Sequence, residues 1–285
     1  MPRAQTISIL GCGWVGEPLG RALVADGHAV KGATTTPGKR ARFEEAGITP
    51  HVLRLAPRRE NGIEGERADD FFAADVLVFT VPPPRDVEDR VAFYQKQLRA
   101  ALDAARGGGV RHVLYTSSTG VYPPLGREVT EEDAATPEQA GDLKRESARA
   151  VRAAERVLAE EAQQGGFDAT VVRLAGLYGP GREPGRFLAG RSGLAEGGRP
   201  INFVHRDDAV GVLRAVVAQG AWGETFNACA DEHPSRRVFF QQRAEAAGLE
   251  PPVFANDENG AFKVVANEKV KRRLGYAFRH PDPLA

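Results

Sequence analysis

The chain is poor in cysteine, in net charge and in long apolar runs, and each shortage removes a class of function. Cys12 and Cys229 are the only cysteines in 285 residues, far apart and at no metal-ligand spacing. That pattern argues against a zinc site or a disulfide framework. Two free thiols in a reducing compartment are expected, with a single disulfide between them the alternative. Lys plus Arg and Asp plus Glu each number 38, so the formal net charge is zero. Without a global charge there is no long-range pull toward nucleic acid or an anionic membrane. No apolar run approaches the roughly 20 residues that span a bilayer, and Met1 to Gln5 opens no signal-like apolar region. A cytoplasmic location is expected, with no nucleic acid, membrane or metal partner. There is no internal repeat and no low-complexity tract. The single methionine, set against abundant Ala, Arg and Gly, is a compositional bias with no mechanism attached.

What the chain does have is length and alternation. At about 150 residues per domain, 285 residues allow one large α/β domain or two domains, with ample interior for a core. Short β-branched runs alternate with Ala/Arg/Glu-rich stretches, which predicts βαβ units and a parallel sheet. Strands are expected over 6–10, 28–33, weakly near 51–53, then 76–79, 112–116 and 169–174. Helices are expected from the end of the glycine turn to about 26, then over about 38–46, 87–105 and 143–163; Pro82-Pro83-Pro84 forbids a helix directly after the run Val76-Leu77-Val78-Phe79. Beyond Gly179 the alternation breaks down into glycine-rich loops, strands near 201–204 and 224–228, and helices near 208–218, 238–247 and 268–274. The expected architecture is a nucleotide-binding domain over 1–178. A smaller substrate lobe would occupy 179–285, with segments near 201–220 returning to the first domain.

The strongest local signal is Gly11-Cys12-Gly13-Trp14-Val15-Gly16, a G-x-G-x-x-G between a strand and a helix. Gly11 permits the tight turn, Gly13 lets backbone approach a pyrophosphate, and Gly16 lets helix and strand pack closely. The helix N-terminus offers free N–H groups and a positive dipole end to the phosphates. Cys12 is read as a small filler, not a reactive thiol. About 20 residues on, where an Asp or Glu would bond a ribose 2′-hydroxyl, stand Thr34-Thr35-Thr36, then Lys39 and Arg40. Hydroxyls and cations there favour NADP over NAD. Five basic residues (Arg3, Arg21, Lys31, Lys39, Arg40) against two acidic ones (Glu17, Asp26) concentrate positive charge in this region. The ends of the two central strands add Thr80, Val81, Pro82, Thr116 and Ser117 to the expected cofactor-binding set.

A second group of segments carries a family resemblance. Tyr115-Thr116-Ser117-Ser118-Thr119-Gly120-Val121-Tyr122 resembles the active-site segment of extended short-chain dehydrogenase/reductases. Arg173-Leu174-Ala175-Gly176-Leu177-Tyr178-Gly179-Pro180-Gly181, Asn202-Phe203-Val204-His205-Arg206-Asp207-Asp208 and Glu224-Thr225-Phe226-Asn227-Ala228 follow in family order. The resemblance implies a Rossmann-type doubly wound parallel sheet with a C-terminal substrate lobe, a bound NAD(P), and Ser118 holding a substrate oxygen. It also implies a Tyr-x-x-x-Lys pair on the next helix, the Tyr to transfer a proton and the Lys to lower its pKa.

That pair is missing. Aligning the family's downstream glutamate to Glu155 puts Ser147 at the tyrosine position and Val151 at the lysine position. Leu143, Ser147, Val151, Ala154 and Leu158 recur at helical spacing, which predicts one buried, mostly apolar stripe. The sequence therefore resembles an atypical branch, NAD-dependent epimerase/dehydratase-like proteins lacking the Tyr/Lys pair. Tyr122 is the preferred substitute acid; Lys144, Tyr178 and His205 are the others, with a packing role the competing reading of both tyrosines. Tyr178, Arg182, Arg186 and His205 are expected on a small-molecule substrate, the arginines on an anionic part of it. Asp207 and Asp208 are read as the capped start of a helix. The resemblance implies a homodimer through the helices of 87–105 and 143–163; the charged outer face of the latter is read as solvated, with i,i+4 pairs. The expectation is an NAD(P)-dependent oxidoreductase or epimerase/dehydratase-like protein acting on a small, nucleotide-sugar type substrate. The alternative is a dinucleotide-binding sensor or scaffold without chemistry.

Overall fold

The computed structural model describes residues 4–56 and 62–285, so Arg3 of the basic cluster lies outside it. The chain enters through β1 (Thr6–Leu10), α1 (Gly16–Ala25), β2 (Ala29–Thr34), α2 (Arg40–Glu45), β3 (Ile48–Leu55) and β4 (Ile63–Gly65). It continues through α3 (Ala68–Phe72), β5 (Val76–Phe79), α4 (Arg90–Gly107), β6 (His112–Ser118), β7 (Glu128–Val129), α5 (Glu146–Gln163) and β8 (Asp168–Leu174). The remainder is β9 (Gly176–Tyr178), β10 (Phe203–His205), α6 (Arg206–Gln219), β11 (Thr225–Ala228), α7 (Arg236–Ala246), β12 (Val264–Val265) and α8 (Glu268–Leu274).

Eight strands form one sheet in the order β11-β8-β6-β5-β1-β2-β3-β4. All its pairings are parallel except β3 with β4. This is the Rossmann-type doubly wound fold. From β1 the strand order runs to β2 and β3 on one side and to β5, β6, β8 and β11 on the other. The β1/β5 boundary is thus the switch point, outside whose carboxyl ends ligands bind.

The central strands carry continuous apolar runs because both faces are covered: Val76 to Phe79 are fully buried. A second, smaller core of Leu188, Ile201, Phe239, Phe240 and Phe254 belongs to the late part of the chain. That part is not wholly separate, since α6 packs on α1 and β11 extends the main sheet. Among the described residues no helix is long and apolar enough to cross a membrane.

Several element boundaries differ from the sequence expectation, each for a local reason. The stretch read as weak near 51–53 is the eight-residue β3, held by β2 on one side and β4 on the other. Helix α4 starts at Arg90 because the Asp89 carboxylate accepts the Ala92 amide and caps it there. Helix α5 starts at Glu146, while Leu143 packs in a small cluster with Ala135 and Ala148. The charged face of α5 is not chiefly paired along its own helix. Glu146 meets Arg90, Glu160 meets Arg99, and Glu161 meets Arg99 and Arg106, all on α4.

Candidate functional site

The glycine loop stands at the switch point, and backbone geometry explains each of its glycines. Gly11 has φ +91°, and a Cβ there would come within 2.9 Å of the Val81 nitrogen at the end of β5. A Cβ on Gly16 would lie 2.9 Å from the Gly11 carbonyl and 3.1 Å from Ile9 Cγ2. A Cβ on Gly13 would meet nothing nearer than the Gly11 carbonyl at 3.7 Å. Two glycines are therefore demanded by packing, and the middle one by open space in front of it. The Thr80 hydroxyl donates to the Gly11 carbonyl at 2.7 Å and to that of Leu10 at 3.1 Å, which ties the loop to β5.

In front of the loop lies a cavity of about 740 Å³. Gly11, Cys12, Gly13, Val81 and Pro82 line its floor; Thr34, Thr35, Thr36, Lys39 and Arg54 line its side. Among the described residues no Asp or Glu is on this wall. Arg54, contributed by β3, was not found by sequence reasoning, because nothing in the short run around it marks the strand's end as a cavity wall. Arg40 is exposed and lies off the wall, so of the two adjacent cations only Lys39 takes part. Cys12 is buried, and burial pushes its thiol up to about 12, which leaves it inert. The glycines and the open front of Gly13 fit a bound dinucleotide.

Trp14, Val15, Thr116 and Ser117 of the expected cofactor set do not line this cavity. Thr116 donates to the Phe79 carbonyl at 3.2 Å, and Ser117 donates to the Glu155 carboxylate at 2.5 Å. Val15 precedes α1 and packs against the core. Trp14 points away from the cavity toward the late lobe: its indole N–H donates to the Pro180 carbonyl at 2.9 Å. The Arg182 guanidinium lies 4.4 Å from the indole centroid and that of Arg206 5.4 Å. Arg182 is therefore a stacking partner of Trp14, not a wall of either cavity described here.

The helix position that should carry a catalytic pair is filled differently. Ser147 is half-buried and Val151 buried on α5, next to buried Ala154 and Leu158. One turn on, Glu155 is 5 % exposed and sits in an ionic cluster. It accepts from Arg173 Nε and Nη2, both at 2.9 Å, and from Arg152 at 3.2 Å, besides Ser117.

Tyr122 belongs to the same cluster and is not an exposed acid. It is 1 % exposed; its hydroxyl donates to Asn227 at 2.6 Å and accepts from Arg173 at 2.9 Å. Burial pushes that hydroxyl up to about 12, with Arg173 opposing the shift. Its position after β6 turns the Tyr122 ring inward, between β8 and β11, which does not favour the expected role of substitute acid. Ser118 differs from it. Half-buried at the end of β6, its hydroxyl accepts the Gly120 amide at 3.1 Å. Lys144 is exposed ahead of α5. Lys263, which sequence reasoning missed, reaches the Tyr122 carbonyl from the far end of the chain.

A second cavity, about 680 Å³, opens beside the loop 179–181. It gathers three expected substrate residues, Tyr178, Arg186 and His205, and adds Arg243 and His280. Tyr178 is 4 % exposed, and its hydroxyl makes no hydrogen bond among the described residues. Burial raises the Tyr178 hydroxyl and lowers the His205 imidazole, the neighbouring His280 adding to the latter. His205, not Asp207 or Asp208, caps α6, since its Nδ1 accepts the Asp207 amide at 3.2 Å. Asp208 is buried and instead holds the late chain through Tyr276, Arg279 and His280 at 2.7–2.9 Å. His205, Asp207 and His280 offer potential metal-ligand atoms within 4.8 Å of one another, though the cap already engages His205 Nδ1.

Comparison with known proteins places this geometry. The sequence profile of the NAD dependent epimerase/dehydratase family matches residues 7–229. The chain is 33 % identical over 286 residues to Protein YeeZ of Escherichia coli (strain K12), covering 98 % of each chain. It is 26 % identical over 292 residues to the 3-diazoavenalumate denitrifying reductase of a Streptomyces species, covering 95 % of this chain and 94 % of that one. Among solved structures, a short-chain dehydrogenase/reductase superfamily protein from Agrobacterium tumefaciens with bound NAD superposes with a TM-score of 0.74. It is 20 % identical, with coverage of 96 % and 92 %.

Proposed function

The chain belongs to the NAD-dependent epimerase/dehydratase family, and on that premise we propose that it is an NADP(H)-dependent reductase of a small polar substrate. The observation that carries the cofactor half is the wall of the first cavity: three threonines, Lys39 and Arg54, and, among the described residues, no carboxylate. A carboxylate there would repel a 2′-phosphate; hydroxyls and cations hold one. The glycine loop and the head of α1 would hold the pyrophosphate, and Thr34 to Thr36 with Lys39 the ribose phosphate. The reduced dinucleotide supplies a hydride when bound.

This chain's own residues then have to orient the substrate and manage a proton. Ser118, with a half-buried hydroxyl at the carboxyl end of β6, is the group that would hold the substrate oxygen. Tyr178, Arg186 and His205 would favour a substrate with a polar or anionic portion, a nucleotide-sugar being one such class. The name of the Streptomyces relative, a reductase matched over nearly its whole length, supports reduction over epimerisation.

The second reading is a dinucleotide sensor without chemistry, and the filled face of α5 favours it. Titration of NADPH and NADH by nicotinamide fluorescence, followed by a panel of small carbonyl compounds, separates the two. NADPH is expected to bind at least about tenfold tighter than NADH, a difference of about 1.4 kcal/mol, and at least one carbonyl compound to be reduced. Tighter binding of NADH overturns the cofactor assignment; binding without turnover across the panel favours the sensor.

A further inference from the structure

The face of α5 offers no group to deliver a proton, yet a lysine from the far end of the chain reaches the same neighbourhood. Lys263 lies just ahead of β12, and its ammonium donates to the Tyr122 carbonyl at 2.5 Å. Tyr122 ends the single turn that begins at Ser118. The ammonium is therefore held on the same turn that begins at Ser118.

The placement is built, not incidental. Strand β12 pairs with β7, registering Val264 with Glu128 and Val265 with Val129, and the Gly126 amide donates to the Phe262 carbonyl. Asn202 clamps the same segment from the other side, donating to the Lys263 carbonyl at 2.9 Å and accepting the Val265 amide at 2.7 Å. The backbone of Lys263 is thus fixed between the loop after β6 and the start of the late lobe, at the ligand edge of the sheet.

Its electrostatic surroundings suit an acid. The charge that acts on it is that of Arg145, ahead of α5. The Tyr122 ring lies beneath it at 5.8 Å, and Arg173 stands 5.1 Å from the same ring. Across β7, Arg127 is held by Asp133, and Glu128 stands exposed. Among the described residues Lys263 has no carboxylate partner. Burial, with Arg145 adding to it, lowers its ammonium to about 8. An ordinary lysine is too weak an acid near neutrality, whereas one in that range is suited to general-acid work.

We propose that Lys263 is the proton donor of the reaction, supplied by the late lobe in place of the pair missing from α5. The proposal rests on the reductase reading. A bound reduced nicotinamide would supply the hydride for the new C–H bond, and the carbonyl π pair would move to oxygen. The Lys263 N–H bond breaks and its proton goes to that oxygen, giving an alcohol; water reprotonates the amine afterwards. The four-carbon stem lets the ammonium leave the Tyr122 carbonyl for a substrate oxygen without moving the clamped backbone.

Two measurements test this separately from the cofactor assignment. Competitive acetylation with acetic anhydride in the presence of NADPH, read by peptide mass spectrometry from about pH 6 to about pH 11, reports the basicity and access of each lysine. Lys263 is expected to titrate well below the other lysines. A midpoint at the ordinary lysine value, or no labelling at all, overturns the proposal whatever the activity. In the second measurement, Lys263→Met is expected to lower kcat for a reduced carbonyl compound at least about a hundredfold, with NADPH affinity within about twofold. Lys263→Arg, which preserves the contact to the Tyr122 carbonyl, is expected to stay folded and equally inactive, since guanidinium does not give up its proton. Full kcat in either variant sinks the lysine while leaving the reductase reading intact. A wild-type chain that binds NADPH but reduces nothing in the panel sinks both.

Discussion

The neighbourhoods of Gly13 and Glu155 lie at the carboxyl ends of adjacent parts of one sheet, and they are finished in opposite ways. Around Gly13 the polar groups of the fold are spent on holding a loop open: Thr80 clamps Gly11, and nothing fills the space that a Cβ would claim. Around Glu155 the polar groups are spent on one another. Ser117, Arg152, Arg173, Tyr122 and Asn227 close a buried network with Glu155, one turn beyond the helix positions of the family's catalytic pair. A site that must admit a ligand leaves backbone uncovered, whereas one that stabilises the fold leaves no donor unanswered. By that criterion the first region is for binding and the second is structural, so the proton for any chemistry must come from elsewhere.

The comparison breaks most visibly at the ion pair. Glu155→Ala leaves Arg173 buried and unpaired, which is expected to cost about 3–5 kcal/mol in urea unfolding. The double variant Glu155→Leu with Arg173→Met is expected to recover most of that loss, since paired removal avoids the orphaned charge. NADPH affinity should stay unchanged wherever the variants remain folded. A cofactor-binding defect from Glu155→Ala at temperatures where it is folded would merge the two regions into one.

The opposite pattern is expected from the glycine loop. Gly13→Ala should leave stability within about 0.5 kcal/mol, as its Cβ meets only the Gly11 carbonyl at 3.7 Å, yet lower NADPH affinity about a hundredfold. Gly11→Ala should impair both, because φ +91° and the Val81 nitrogen at 2.9 Å oppose any side chain. A smaller effect belongs to the side wall. Lys39→Glu is expected to reduce NADPH affinity about tenfold while leaving NADH nearly untouched, read by the same titration.

The difference between the two regions also decides what sequence could reveal. The glycine loop is legible because its chemistry is a backbone demand written in consecutive residues, and Pro82 to Pro84 likewise announce their loop. The parallel sheet is legible from alternation. Tyr122 reads as an acid in the sequence because its distance from Ser118 along the chain suits a catalytic role. Burial depends on β8 and β11, whose Arg173 and Asn227 lie 51 and 105 residues away. Arg54 and Lys263 escaped notice for the same reason, as each reaches its place through strand pairings of β3 and β12 that short runs do not advertise. Strand β9, three residues long, is defined only by its partner β10.

Tyr122 gives the smallest and sharpest test, because removing one oxygen distinguishes a fold residue from an acid. Tyr122→Phe leaves Asn227 without a donor on Oδ1, although Asn227 still donates to Ala266, and Arg173 keeps Glu155 and the Glu131 carbonyl. The expected cost is about 1–2 kcal/mol, with NADPH binding and any carbonyl turnover retained. The hydroxyl also leaves a signature in alkali. Its folded value of about 12 lies above the ordinary 10, so its contribution is complete below pH 10 and is lost as pH rises from there toward 12. Over that window the wild type should lose up to about 1.4 kcal/mol per pH unit more than Tyr122→Phe, measured by urea unfolding at each pH. Identical alkaline slopes would mean that the hydroxyl is not buried between β8 and β11. Loss of turnover in Tyr122→Phe with stability intact would return the residue to the active site and take the proton-donor role away from Lys263.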